Sequence, residues 1–135
     1  MEPEKQQANI DNVQSVFEHW QVRMGVPRAR LDQKRRQKIR QRLLDGYTMQ
    51  DLIDAIEGCA QSPFNMGAND RTTVYNDIEL ICRDAAHVDR FIAIHTKTTI
   101  EKKRAAIREK ERLEYEERKR KELNEAGRRL QVVPR

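Results

Sequence analysis

The segment from Arg28 to Arg42 is strongly basic and holds the side chains best suited to chemistry in this sequence. It contains eight cationic residues and one acid, Asp32, and so carries a charge of +7. The whole chain carries +5, which leaves about −2 for all the other residues. Dense cationic side chains attract phosphate and release the counterions condensed on nucleic acid. We therefore predict contacts to the phosphates of single- or double-stranded DNA through Arg28, Arg30, Lys34, Arg35, Arg36, Lys38, Arg40 and Arg42.

The alternative interpretation of this segment is a solvated helix face that keeps the protein soluble. Acids that would neutralise such a face are missing here, although the C-terminal third of the chain interleaves Glu with Lys and Arg. Like charges four residues apart, such as Arg36 and Arg40, destabilise an isolated helix by a few tenths of a kcal/mol per pair. A sequence that tolerates this cost favours polyanion binding over solubility alone.

No pattern of residues predicts catalysis. The chain has no Gly-rich phosphate loop, no HExxH motif and no nucleophile elbow. His19, His87 and His95 are scattered, and Cys59 and Cys82 lack the companions that a zinc site needs. We predict a non-enzymatic protein without cofactor or metal, with two buried thiols in a reducing cytoplasm. No apolar run approaches the 18 residues of a membrane span.

Hydrophobic periodicity predicts an all-α fold. Apolar residues at helical spacing run over residues 10–95, which we expect to form a compact bundle of about five helices. Residues 96–127 are mostly charged and predict a long helix that Gly127 ends. Residues 1–9 are predicted to be disordered, and residues 128–135 to be a flexible tail.

Capping and turn residues set the predicted helix limits. Asp11 is a good N-cap for a first helix that ends at Met24, before Gly25 and Pro27. Asp32 caps a second helix, and Thr48 with Asp51 resembles a capping box for a third. A loop over 62–73, a fourth helix over 74–83 and a fifth over 84–95 complete the bundle. The expected inward side chains include Val13, Val16, Phe17, Trp20, Met24, Leu31, Ile39, Leu43, Leu52, Ile53, Ile56, Cys59, Val74, Ile78, Ile81, Cys82, Val88, Phe91 and Ile92.

Three aromatic residues, Tyr47, Phe64 and Tyr75, border loops and could stack on single-stranded bases if exposed. Packing beneath a loop is the favoured interpretation for each. In the long helix, Ile100 and Ile107 are seven residues apart, but Glu114 takes the next heptad position, so no sustained coiled-coil seam is predicted. This helix could be solvated, a partner-dependent coiled coil or a nucleic-acid arm.

The order of several short motifs resembles the C-terminal module of phage and prophage replication proteins, the replisome organisers and initiators. The matching stretches are 16–20, 42–48, 51–56, 62–67 and 74–81. The same helical order is similar to the C-terminal domain of the primosome protein DnaD. The resemblance covers about residues 13–92, and it implies a helical domain that acts in replication initiation through DNA and a replicative helicase or its loader. It also implies that the cytoplasm is that of a bacterial host cell.

This sequence departs from that resemblance at two points. No winged-helix element is expected before the module, and no Trp follows Tyr75 and Ile78, where DnaD-like domains carry one. We predict that a protein partner, or a second copy of the chain, contacts a further set of residues. These are Tyr75, Arg71, Arg104, Arg108 and Arg112.

Two other functions remain open at this point. The chain could be a small phage-encoded interaction module that binds and modulates a host protein through an acidic surface. It could also be a helix-turn-helix transcriptional regulator built from the second and third helices. The would-be recognition helix over 49–57 is acidic, which disfavours the regulator.

Overall fold

A computed structural model of the chain describes the backbone of residues 3–131 and the side chains of residues 10–130. This part of the chain contains five α-helices. The helices are α1 (Pro3–Met24), α2 (Gln33–Leu44), α3 (Met49–Ala60), α4 (Ile78–Ile81) and α5 (Ala85–Gln131). Between residues 3 and 131 there is no strand, and the one β-bridge pairs Met66 with Val74. The all-α prediction is therefore confirmed.

Helices α2 and α3 begin as their sequences predict. The Asp32 carboxylate accepts the backbone N–H of Arg35 at 2.9 Å. Thr48 and Asp51 form a reciprocal capping box, with each side chain accepting the other residue's backbone N–H. These bonds satisfy amide groups that the first turn of a helix leaves unpaired. Gly25 and Gly46 follow α1 and α2 with φ of +66° and +110°, a conformation that favours glycine.

Two helix limits differ from the prediction at the chain ends. Helix α1 begins at Pro3, so Asp11 lies inside it and is not its cap. Proline suits the first position of a helix, and the following Glu, Lys, Gln and Ala are good helix formers. Gly127 does not end the last helix, which runs to Gln131. Of the predicted disordered and flexible ends, residues 1–2 and 132–135 lie outside the described residues.

The region from 74 to 98 also differs from the prediction. The fourth helix spans only Ile78–Ile81, because the backbone of the residues before it is engaged elsewhere. Tyr75 N–H donates to the Asn65 carbonyl, and the Asn76 carbonyl accepts from Trp20. The predicted fifth helix and the long charged helix are one element, α5, since no helix-breaking residue separates 95 from 98.

The core lies in a compact unit, residues 1–98, and the segment from Thr99 onward forms a second unit. In the first unit the apolar faces of α1, α2 and α3 meet α4 and the first turns of α5. Ile53, Ile92, Met24, Leu31 and Leu43 are only half-buried. The prediction that Val74 is buried was wrong, because this residue lies in the loop before α4, bridged to Met66, and is 50% exposed. The other predicted core residues are buried. The buried side chains are Val13, Val16, Phe17, Trp20, Ile39, Leu52, Ala55, Ile56, Cys59, Ile78, Ile81, Cys82, Val88 and Phe91.

Gly58 permits the closest backbone approach in this core. A Cβ atom built on Gly58 would lie 1.7 Å from the carbonyl oxygen of Phe91, so α3 and α5 meet backbone to backbone at this point. Neither a rotamer change nor a small shift of one side chain can relieve a clash with a carbonyl group.

We expect Gly58→Ala to destabilise the first unit by about 3 kcal/mol, as overpacking of a rigid contact does. The free energy of unfolding from urea denaturation, followed by circular dichroism, measures the effect. Gly127→Ala is the matched control, because nothing lies within 4 Å of its Cβ and alanine favours helix. Equal unfolding midpoints for Gly58→Ala and the parent would contradict the close approach.

The two cysteines are buried free thiols, as predicted. Burial raises the pKa of Cys59 to about 11 and that of Cys82 to about 12. The thiolate is the nucleophilic form, and a raised pKa keeps both side chains protonated at neutral pH, so both are unreactive in the folded chain.

Neither thiol should react with a maleimide at pH 7 in the native protein, while both should react at once in denaturant. Mass spectrometry of samples taken over several hours would show this. Rapid labelling of either cysteine without denaturant would show that the core opens far more often than this packing implies.

Candidate nucleic-acid interface

The basic residues of α2 lie on two edges of the helix. At 100° per residue, Lys34 and Lys38 follow one edge, and Arg36 and Arg40 follow the other. The surface between the edges carries Gln33, Gln37 and Gln41, and the opposite side is anchored by the buried Ile39. Arg28 and Arg30 are exposed in the segment that precedes the helix.

The structure separates the eight predicted DNA-binding residues into two groups. Six of them have side chains that make no hydrogen bond or ion pair with any side chain described between residues 10 and 130. Five of these are exposed and Lys38 is half-buried. We call these six the free cations: Arg28, Arg30, Lys34, Arg36, Lys38 and Arg40.

Arg35 has a structural role instead. Its guanidinium forms a two-pronged contact with the Asp77 carboxylate, at 2.9 Å from Nη2 and 3.4 Å from Nε. Nη1 donates to the Arg30 carbonyl at 2.8 Å, and the guanidinium carbon lies 5.0 Å from the centre of the Trp20 ring. These contacts join α2 to the core. Because each of the three guanidinium nitrogens already donates a hydrogen bond, few donors remain for a phosphate.

Arg42 is also committed to the fold. Its side chain is 12% exposed, and Nη1 donates to the Arg83 carbonyl at 3.3 Å. Its Nε lies 3.2 Å from Asp45 Oδ2 but is buried without a well-aligned acceptor. The prediction that Arg35 and Arg42 serve DNA binding is thus not favoured, because both side chains are mostly buried and contact groups within the fold.

Histidines and carboxylates form the other polar junctions of the first unit. Glu57 on α3 accepts from Arg23 at 2.9 Å and contacts His19 Nε2 at 2.9 Å, which joins α3 to α1. Burial raises the pKa of Glu57, but the bonds from Arg23 and His19 outweigh it, so the net pKa is lowered. His87 and His95 likewise lie beside Asp84 and Asp54. No group of three metal-ligating side chains occurs among the described residues.

The aromatic residues beside loops have different environments. Tyr47 is half-buried, and its hydroxyl donates to Asp89 at 2.6 Å, which raises its pKa to about 12. Phe64, in contrast, is 59% exposed, so the favoured prediction of packing beneath a loop was wrong for it. Its ring stacks on half-buried Tyr75, with centroids 6.0 Å apart and an interplanar angle of 17°.

The stacked pair lines an open cleft in the 62–77 loop, which we call the aromatic cleft. It brings together Tyr75 and Arg71, both predicted to be partner contacts. Phe64, which the sequence identified as an aromatic residue beside a loop, completes the cleft. The lining residues are Phe64, Ala68, Asn69, Asp70, Arg71 and Tyr75.

The second unit contains the remaining predicted partner residues. From Ile100 to Leu130 every side chain is exposed. Arg112 is paired with Glu109 and Glu116, whereas Arg104 and Arg108 make no ion pair among the described residues. Glu117 pairs with Lys121 at 3.4 Å, whereas Glu114 and Arg118, also four residues apart, make no ion pair with each other.

The comparisons with known proteins find no counterpart of this chain. No family model, no curated protein and no solved structure matches it. None of the helices in the described part of the chain is long and apolar enough to cross a membrane.

The contact between Arg35 and Asp77 makes stability depend on pH. Burial raises the pKa of Asp77, but bonds from Arg35 and from the Glu79 backbone N–H outweigh it and leave the pKa below its usual value of 3.8. The carboxylate therefore contributes stability above about pH 4, and this contribution is lost as the pH falls through the lower, folded-state pKa.

We expect Asp77→Asn to reduce the free energy of unfolding at pH 7 by about 1 kcal/mol, since the pair is partly exposed and screened by water. The difference between variant and parent should shrink at pH 3. Urea denaturation at both pH values measures it, with Asp70→Asn as a control at an exposed carboxylate. A difference that stays constant with pH would rule out the ion pair as its source.

Proposed function

We propose that this chain is a non-enzymatic accessory protein of phage-type DNA replication that binds DNA mainly through backbone phosphates. The observation that carries the proposal is the set of six free cations on α2 and the segment before it. Elsewhere some described cations pair with acids, as Arg23 with Glu57 and Arg112 with Glu109 do, and the cations of α5 are interleaved with Glu, whereas these six have only Asp32 among them. An unpaired set of this density attracts phosphate and supplies affinity that does not depend on base sequence.

Replication as the process rests on the resemblance to phage replication modules given by the sequence motifs. The all-α bundle is the fold class that this resemblance implies. Engagement of a helicase, a helicase loader or another partner is supported by α5, where large apolar side chains face solvent at more than half of their area. These are Ile107, Leu113, Tyr115, Leu123 and Leu130.

An interaction module that binds a host protein is the second candidate, favoured by the same apolar residues of α5. A helix-turn-helix regulator is disfavoured further by the burial of α3. Five residues of this helix are buried, and its Glu57 is bonded to α1. A recognition helix needs an exposed face with donors for base edges, and α3 offers acids there instead.

The double variant Arg36→Glu, Arg40→Glu tests the DNA-binding proposal. Each phosphate contact is worth about tenfold in affinity at 50 mM salt, so the variant should bind random-sequence DNA at least about 100-fold more weakly. Fluorescence anisotropy with a labelled duplex and a labelled single strand measures the affinity. The neutral variant Arg36→Gln, Arg40→Gln should make the slope of log affinity against log salt shallower by about 1.8 on duplex.

The matched control is Arg90→Glu, Lys97→Glu, which makes the same charge change at two exposed positions of α5. It should retain most of the affinity, and circular dichroism should show native helix content in all variants. Parent-like binding by the α2 reversal at low salt would refute the role of the free cations. Failure of the parent to bind any DNA at micromolar protein would favour the host-protein module.

A further inference from the structure

The 62–77 loop is locked by its own hydrogen bonds. The Asn69 side chain donates to the Phe64 and Thr73 carbonyls at 2.8 and 2.6 Å, and accepts the backbone N–H groups of Arg71 and Thr73 at 3.2 and 3.1 Å. Buried Asn65 donates to the Tyr75 carbonyl at 3.0 Å. These bonds satisfy the loop's polar backbone from inside, so its outward surface is preformed.

The 62–77 loop exposes apolar side chains to solvent. Phe64, Val74 and Met66 are exposed by 59%, 50% and 38%, and the β-bridge between Met66 and Val74 fixes their backbones side by side. Beside them, the side chains of Asp70 and Arg71 are exposed and make no ion pair within the described part of the chain. An aromatic face fixed next to unused donors and acceptors has the features of a recognition site.

We propose that the aromatic cleft binds an unstacked nucleobase of single-stranded DNA. In this arrangement the Phe64 ring stacks on the base, the Arg71 guanidinium contacts a neighbouring phosphate, and the Asp70 carboxylate accepts from the base edge. The inference rests on the proposed function and deepens it, because it names the form of DNA that the protein prefers.

The lining of the cleft favours a base over an apolar peptide side chain. Ala68 is the one aliphatic residue among the six that line it, and the others are aromatic, amide or charged. A peptide anchor is normally held by an aliphatic or aromatic pocket that surrounds it. A base needs one flat π-face and hydrogen-bonding groups at its edge, and these are the groups present.

The cleft is also linked to the basic helix α2 through Asp77. Tyr75 is two residues from Asp77, so their Cα atoms are at most about 7 Å apart. Asp77 in turn holds Arg35 of α2 at 2.9 Å. One end of the cleft thus lies beside Arg35 of α2. In our proposal one single strand meets the free cations with its phosphates and places a base in the cleft, whereas the bases of a duplex remain stacked and inaccessible.

The test compares an oligo-dT strand with an abasic strand of equal length, which carries the same phosphates without bases. The parent should bind oligo-dT more tightly, and Phe64→Ala should weaken oligo-dT binding by roughly 5- to 100-fold, the range for loss of one stacked base. The same variant should bind the abasic strand and duplex as the parent does. Because Phe64 is exposed, its thermal unfolding midpoint should be unchanged.

Two further variants separate stacking from general apolar contact. Phe64→Trp keeps the π-face and should retain affinity for oligo-dT, while Phe64→Leu keeps apolar bulk without it and should bind like Phe64→Ala. A 5-iododeoxyuridine strand irradiated with the parent should cross-link to a peptide that contains residue 64 or 75. Parent-like binding of oligo-dT by Phe64→Leu would overturn the inference and favour a peptide as the occupant.

The inference and the proposed function can fail separately. If the parent binds oligo-dT and the abasic strand equally, with the salt dependence expected of phosphate contacts, the base site is wrong and the phosphate-binding function stands. If the parent binds neither strand nor duplex at low salt, both proposals are wrong. If Phe64→Ala alone loses the preference for oligo-dT and the α2 reversal loses binding to every ligand, both are supported.

Discussion

The contact of Trp20 with its neighbours is the interaction on which the rest of the first unit depends. The indole packs on Phe17 in the core, and its Nε1 donates to the Asn76 carbonyl at 2.7 Å. Arg35 covers the ring and pairs with Asp77. One side chain of α1 thereby fixes both the N-terminal turn of the basic helix and the end of the 62–77 loop. An indole can do this because it is apolar in its body and carries one donor at its edge.

This junction explains why the loop keeps a defined shape without secondary structure. Asn76 gives its carbonyl to Trp20, and Tyr75 exchanges hydrogen bonds with Asn65, so the segment cannot also satisfy helical bonds. Helix α4 therefore starts only at Ile78, where the Asp77 side chain accepts the Glu79 N–H.

Local signals predicted much of this fold, and long-range contacts account for what they missed. The caps at Asp32 and Thr48 and the apolar face of α1 were predictable because they depend on residues within one or two turns. The short α4 was not, since the partners of residues 74–76 lie up to 56 positions away. Charge counting identified the basic segment, yet it could not show that Arg35 is committed to Asp77, 42 residues distant.

The free cations depend on the positions of the acidic side chains as well as on those of the basic side chains. Within the first unit the carboxylates act as acceptors inside the fold: Asp77 holds Arg35, Glu57 joins α3 to α1, and Asp89 binds Tyr47. Asp32, the single acid in the basic segment, is the N-cap of α2 and accepts the N–H of Arg35. Acids used in this way stabilise junctions and leave the outer edges of α2 without counter-charges. A chain with a net charge of only +5 thus concentrates positive charge on one helix and the segment before it.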